Sequence, residues 1–434
     1  MSEIIYSKAI KEKYNVDVCI VGGGPSGIAA ALAAARSGVS VFLAESQGFF
    51  GGLATTALVP AFMPFSNGAD FLAGGIGKEI HDLCRENNFY GDGIYPEKYK
   101  LICDNLISKE KNIKYSFFTT LIDVIKDGEK SSRVDHAVFN AKSGTFAVKA
   151  KIYIDCSGDG DLCAFAGNDY VIGDENSRTM PATLCSIWTN IDWDDKNFSD
   201  NELLEKAFED KIFTQEDYHL PGMWRTWGKF GGGNISHSFD IDGTDEVSLT
   251  KGMITARKII PEYEKYYREY LGRGYKESNV VISGSCLGVR ESRRVAGDYE
   301  ISYDDYLNRA SFDDEIGRYA YPIDIHVARP DKECYENHWK QLTGSQYKPG
   351  ESYGIPYRIL LPKDLSNVYV AGRCVSADQI MQSSIRVMPA CFIMGQATGI
   401  GASMAVKNNC DIRGIDISKL QSELKNIGAY LPNL

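Results

Sequence analysis

The stretch from Val16 to Glu45, VDVCIVGGGPSGIAAALAAARSGVSVFLAE, constrains this chain more than any other. Val16, Val18, Ile20 and Val21 read as a short buried strand. Gly22, Gly24 and Gly27 follow at G-x-G-x-x-G spacing and open a helix rich in alanine and leucine. Gly22 permits the tight turn, Gly24 lets backbone approach a pyrophosphate, and Gly27 lets helix and strand pack closely. The free N–H groups and positive end of that helix then face the diphosphate. Val39 to Ala44 is the second strand. Glu45 ends it, eighteen residues after Gly27, placed to accept from both ribose hydroxyls. Strand, turn, helix, second strand and acid arrive in register, which predicts a dinucleotide site; a glycine turn in an ordinary βα unit needs no carboxylate there.

At 434 residues the chain has length for two or three domains. A net charge of −11 argues against nucleic acid or an anionic membrane as partner. The opening MSEIIYSKAIKEKYN is charged and reads as no signal peptide, and no apolar run is expected to approach the length needed to span a bilayer. Eleven cysteines lie scattered with no C-x-x-C pair, which predicts reduced thiols in a cytoplasmic protein. Six scattered histidines predict no metal site.

Past Glu45, a second glycine-rich loop (Gly48, Gly51, Gly52) is suited to lie against a flat cofactor face. Residues 74–110 read as two helical pieces, followed by short strands at 113–118, 120–126, 134–140 and 144–150. KIYIDCSGDGDLCAFAG is then a buried strand running into a glycine-aspartate turn. A βαβ start, a third strand, an antiparallel meander and a returning parallel strand fit a flavin-binding fold better than a purely nicotinamide-binding one. Residues 176–354 are richer in aromatic and charged residues, with antiparallel strands expected at Val280–Ile282 and Gly288–Val295. NVYVAGRC and the small-residue helix near Pro389 return to the first pattern. The expected fold is α/β: a discontinuous Rossmann-like dinucleotide domain (1–58, 100–175 and 355–434) with an inserted substrate or cap domain (59–99 and 176–354) containing an antiparallel sheet.

Four separated motifs resemble one family. They are GGGPSG (22–27) with Glu45; IDCSGDGDL (154–162); GVRESRRVAGDY (288–299) with YPIDIH (321–326); and IPYRILLP (355–362) continuing through VYVAGRCVSAD to SSIRVMPACFIMGQATG. The family is the FAD-dependent oxidoreductases of the glutathione-reductase-like superfold, in the group with a G-V-R-E-S-R-R-V-x-G-D-Y motif. The resemblance implies FAD, two domains, and a flavin ring at their interface; it implies no substrate.

On that footing FAD's adenosine and diphosphate lie along Gly22, Gly24, Ser26, Gly27 and Glu45, with Ser26 capping free N–H groups or touching phosphate. Gly51 and Gly52 run beside the ribityl chain or ring, and Gly372 turns the chain toward the cofactor. Asp159 is placed to accept a sugar hydroxyl, although Asp159 and Asp161 equally suit helix N-capping. Pro389 and Ala390 open a helix whose N-terminus would stabilise negative charge near the flavin C2 carbonyl. Arg386 adds a full charge there, or pairs with a structural carboxylate. Cys374 reads as a small buried residue before a redox one. If 288–295 is a strand, Arg290, Ser292 and Arg294 share one face and Glu291 and Arg293 the other. The arginines then either bind a carboxylate or phosphate, Arg290 first, or form an ion-pair network between domains.

His326 is the general-base candidate, with Asp324 two residues earlier to orient it on an extended strand. Tyr357 and Arg358 are secondary candidates for orienting substrate. His81, His136, His219, His237 and His338 have no supporting context. No second dinucleotide fingerprint exists, since GKFGGGN (228–234) lacks strand–turn–helix context. The expected function is oxidation or reduction of a small polar metabolite, an anionic one among the options, by hydride transfer to or from flavin N5. The alternative is a non-redox hydratase or isomerase on the same fold. Electron acceptor (oxygen, NAD(P) or a protein) and self-association into a homo-oligomer stay open.

Overall fold

A computed structural model describes all of the chain except residues 1–3, 5–6, 129, 196–200, 219–221, 331, 334, 337–345 and 434. His219 and His338 lie outside the described residues. The main sheet has seven strands. Strand β1 (Lys11–Val21) lies at its centre, with β2 (Val41–Ala44) and β3 (Ile113–Ser116) beside it on one side. On the other side come β6 (Gly144–Asp155), β5 (Val134–Ala141) and β4 (Thr120–Lys126). The pairs β1–β2, β2–β3 and β1–β6 are parallel, whereas β4, β5 and β6 form the antiparallel meander. The last parallel strand, Val368–Val370, joins the C-terminal end of β6. This places the ends of β1, β6 and the late strand side by side, so three distant sequence motifs meet at one edge.

Helix α1 (Pro25–Arg36) is buried along nearly its whole length, which explains its alanine content. It packs on the helix Met388–Asn408, where glycines let the two backbones approach. A Cβ at Gly395 would sit 2.2 Å from the Ser26 carbonyl oxygen, and one at Gly399 would sit 2.4 Å from that of Ala30. This late helix is long and apolar enough to cross a membrane by length and composition, contrary to the expectation from the sequence. Its sides are enclosed by protein, with 89% of its most apolar window buried.

A four-stranded antiparallel sheet runs Met223–Trp227, Phe230–Gly233, Ser186–Thr189, Asn279–Ser283. The glycines of GKFGGGN serve packing here: a Cβ on Gly232 would meet Pro60 at 2.2 Å, and one on Gly233 would meet Trp188 at 2.7 Å. Trp188, Phe213, Tyr263 and Tyr267 build a separate core behind this sheet. One expectation is corrected: only Arg293–Val295 of the 288–295 segment is strand, paired with Tyr170–Ile172. From the 59–99 segment, Phe62, Phe65, Ile80 and Phe89 pack into the same core as the main sheet.

Candidate active site

Val21 ends β1 and the chain turns at Gly22 with φ +97°, where a Cβ would lie 2.3 Å from the Cys156 carbonyl oxygen. A Cβ on Gly27 would lie 1.8 Å from the Gly22 oxygen, so helix and strand touch there. Gly24 differs: the nearest atom to its Cβ position is Gly52 Cα at 3.6 Å, and the residue lines a cavity. No side chain caps the start of α1, so its first N–H groups are available to a ligand. The expected capping by Ser26 is not found, but the residue lines the same cavity.

Glu45 is 6% exposed and faces this cavity. Its Oε2 accepts from the Gly23 N–H at 2.8 Å and its Oε1 from the Gln47 N–H at 2.7 Å. Burial raises its pKa against those donors. The carboxylate thus braces the glycine turn; Oε1 also accepts from the Ser46 hydroxyl at 3.2 Å, and Oε2 keeps a further lone pair for a ligand. Of the second glycine loop, Gly52 reaches the cavity, whereas Gly51, at φ +112°, shapes the turn against Thr55 behind it.

Asp159 does not cap a helix. Its Oδ1 accepts from Arg373 Nη2 at 2.5 Å and from the Ser292 hydroxyl at 2.6 Å, and both Asp159 and Arg373 line the cavity. The capping role falls to Asp155, whose Oδ2 accepts from the Cys163 N–H at 3.0 Å. Asp161 pairs with Arg293 at 2.7 Å. Gly372, at φ +103°, lines the cavity, and Cys374 is fully buried with burial pushing its thiol up, in keeping with its smaller reading.

The far end of the cavity gathers Arg290, Asp324, His326 and Arg386. Arg290 Nη1 donates to the Pro181 carbonyl at 2.8 Å and to Thr183 Oγ1 at 2.5 Å; its Nη2 donates to Asn234 Oδ1 at 3.1 Å. Every one of these partners is neutral. Desolvation and the like charge of Arg386 push the Arg290 guanidinium down to about 10. Arg386 Nη2 reaches the Asp324 carbonyl at 2.9 Å and Oδ2 at 3.3 Å, while its buried Nη1 has no partner among the described residues. The arginines of the motif divide: Arg290 faces the cavity, and Arg294 pairs with buried Glu291 behind it. The predicted strand alternation fails because residues 288–292 are not in a strand.

No strand forms over 321–326 either, yet Asp324 and His326 still meet, with His326 Nε2 at 3.5 Å from Asp324 Oδ1. Both line the cavity, the Asp324 side chain 36% exposed and that of His326 4% exposed. Desolvation raises the Asp324 carboxyl, opposed by Arg386 and Arg290.

The remaining expectations divide. Met388, Val387 and Cys391 line the cavity at the helix start, not Pro389 and Ala390, which sit in the buried first turn. Tyr357 is no site residue: its hydroxyl is tied to Tyr369 at 2.5 Å and to the Ile412 carbonyl at 2.7 Å, inside the core. Arg358 pairs with Asp314 at 3.0 Å on the outside. Sequence reasoning missed Thr183, Asn234 and Cys286, which line the cavity from the inserted segment; Asn234 closes the glycine run that had no assigned role.

Fold and cavity together define a dinucleotide-binding α/β enzyme. One cavity of about 420 Å³ runs from an open glycine cradle with free N–H donors to a cationic end bearing an unpartnered guanidinium nitrogen. These residues fit FAD, whose diphosphate suits the first and whose electron-rich ring suits the second. A family model described as FAD dependent oxidoreductase matches residues 17–424, and the chain belongs to that family, with FAD as its cofactor. No curated protein matches the chain. Among solved structures it is similar to a geranylgeranyl bacteriochlorophyll reductase-like protein from Thermoplasma acidophilum, at 13% identity and TM-score 0.47, covering 95% of this chain and 83% of that one. It is also similar to p-nitrophenol 4-monooxygenase from Pseudomonas putida, at 11% identity and TM-score 0.48, covering 95% and 84%. A flavin-dependent brominase is similar at 14% identity and TM-score 0.45, covering 95% and 83%.

Proposed function

We propose that this enzyme oxidises or reduces a small polar metabolite carrying an anionic group. Bound in the cavity, FAD supplies a two-electron acceptor or donor for hydride transfer at N5. Gly22, Gly24, the start of α1 and Glu45 hold the adenosine and diphosphate half; Asp159, Arg373 and Gly372 lie along the middle. Arg290 and Arg386 receive negative charge at the far end, from the substrate's anionic group and the reduced ring. The Asp324–His326 pair takes or returns the proton that accompanies the redox step.

One observation carries this reading. Among the described residues, Arg290 hydrogen-bonds only to neutral groups and Arg386 keeps a buried nitrogen with no hydrogen-bond partner, both on the cavity wall. An anion in the cavity would supply the charged acceptor these guanidiniums lack. The test is anaerobic: the yellow holoprotein, and the same protein pre-reduced with dithionite, are each mixed with panels of hydroxy, amino and unsaturated acids and their neutral analogues. The expected result is bleaching by, or reoxidation with, an anionic compound and not its ester or amide. Turnover of a compound with the flavin spectrum unchanged and no electron acceptor required would sink the redox reading.

A further inference from the structure

Behind the Asp324–His326 pair lies a second histidine that the cavity does not reach. His237 sits on the two-residue strand His237–Ser238, paired with Ala182–Thr183 so that His237 lies opposite Thr183. Thr183 is the residue whose hydroxyl holds Arg290. The His237 side chain is 1% exposed and that of Asp217 is 4% exposed, and His237 Nδ1 lies 2.7 Å from Asp217 Oδ2. The His237 ring meets the His326 ring edge to face, centroids 5.2 Å apart and planes at 89°. Four ionisable groups thus run in sequence from the cavity into the protein: Asp324, His326, His237, Asp217.

We propose that His237, fixed by Asp217, is a positioning residue for the acid–base pair, setting the orientation and protonation of His326 and through it the readiness of Asp324. The inference rests on the reading of Asp324–His326 as the proton-handling pair. Burying a carboxylate and an imidazole together costs desolvation, and a good hydrogen bond offsets it only when the geometry is held. Here that cost falls at the back of the one histidine adjoining the cavity-facing carboxylate. A carboxylate on Nδ1 fixes which nitrogen of His237 carries the proton. At 5.2 Å, in surroundings with little water, the charge state of one imidazole weighs on the other. In the oxidative direction, the substrate's O–H or N–H bond breaks, its electron pair stays on the substrate, and the proton bonds to an Asp324 carboxylate oxygen beside His326. Among the described residues, other ionisable groups around this column include Arg290, Arg386 and Tyr321 at the cavity end, Glu291 beyond Arg386, and Tyr263 beside Asp217.

The test is a pH titration of the FAD-loaded protein carrying 13C- and 15N-labelled histidine, followed by NMR. In the wild type, His237 and His326 should titrate as a coupled pair, each resonance showing the inflection of the other. His237→Gln and Asp217→Asn should each move the His326 midpoint by about one pH unit. Independent titration in the wild type would overturn the proposal even if neither variant folds, and so would an unmoved His326 midpoint in folded, FAD-retaining variants. Asp324→Asn separates the two readings. If it leaves flavin reduction by substrate at the wild-type rate, Asp324 is not the proton acceptor, whereas the coupling between the histidines is read without any substrate.

Discussion

Arg386 lies 3.3 Å from the Asp324 carboxylate through Nη2 while its buried Nη1 meets nothing among the described residues. One half of the guanidinium is thus committed to positioning the carboxylate and the other half is left for a ligand. Arg386→Ala removes both functions, and Arg386→Lys keeps a charge but not the fork. Small monocarboxylates such as benzoate, followed by perturbation of the flavin absorbance, should bind the alanine variant about tenfold or more weakly, with partial recovery in the lysine variant. Equal affinity in all three proteins would remove Arg386 from anion binding.

The glycine turn makes a contrast between two positions three residues apart. At Gly27 a methyl would fall 1.8 Å from a backbone oxygen, so Gly27→Ala must push helix from strand. It should cost about 1–3 kcal/mol or more in urea unfolding. At Gly24 the methyl position meets only Gly52 Cα at 3.6 Å and otherwise faces the cavity. Gly24→Val should fold yet purify colourless and take up no added FAD. A yellow Gly24→Val protein would contradict the placement of the diphosphate.

That contrast also shows what a sequence reveals. Gly27 is settled by contact with Gly22 inside the first βαβ unit, and the spacing alone picked out Gly24 as the glycine that opens on the cavity. The order of β1 to β6 was legible for the same reason. Arg290 and Arg294 were assigned to one face because 288–295 was read as a strand, but only Arg293–Val295 pairs. Tyr357 looked functional from its motif and is held in the core by Tyr369. His237 offered no signal at all: its partners Asp217 and His326 come from other segments, and only the tertiary fold brings the three together. Local backbone chemistry is written locally, whereas a side-chain cluster drawn from three segments is not.

Glu291 and Arg294 form an ion pair with side chains 0% and 8% exposed. Glu291 also accepts from the Met180 N–H and from Gln379, and Arg294 donates to the Ala377 and Gly173 carbonyls. Removing one partner strands a buried charge. Arg294→Met should therefore destabilise the holoprotein by about 3–5 kcal/mol in urea unfolding, with the flavin spectrum of the folded fraction unchanged. Adding Glu291→Gln to it should recover part of the loss, since the stranded charge is then gone. A double variant no more stable than Arg294→Met would argue that the hydrogen bonds to neighbouring backbone, and not the charges, dominate this cluster.

Asp161 ties the cofactor loop to pH. Burial, then the neighbouring Asp159 and Asp155, raise its carboxyl to about 6, against the pull of Arg293. A folded-state pKa above the unfolded value means that the folded protein holds the proton more tightly. Stability from this group is then complete below the unfolded value of about 3.8 and is lost as pH rises through about 6. Asp161→Asn stays neutral throughout and escapes that loss. Its stability relative to the wild type should therefore improve as pH rises across this window and level off above it. The side chain is 37% exposed, so solvent screening keeps the gain modest. Urea unfolding of both holoproteins at matched FAD concentration, at pH steps from 4 to about 7.5, reads the difference directly. A gap that stays constant with pH would mean that Asp161 is ionised at ordinary acidity and that the Arg293 pair outweighs its burial.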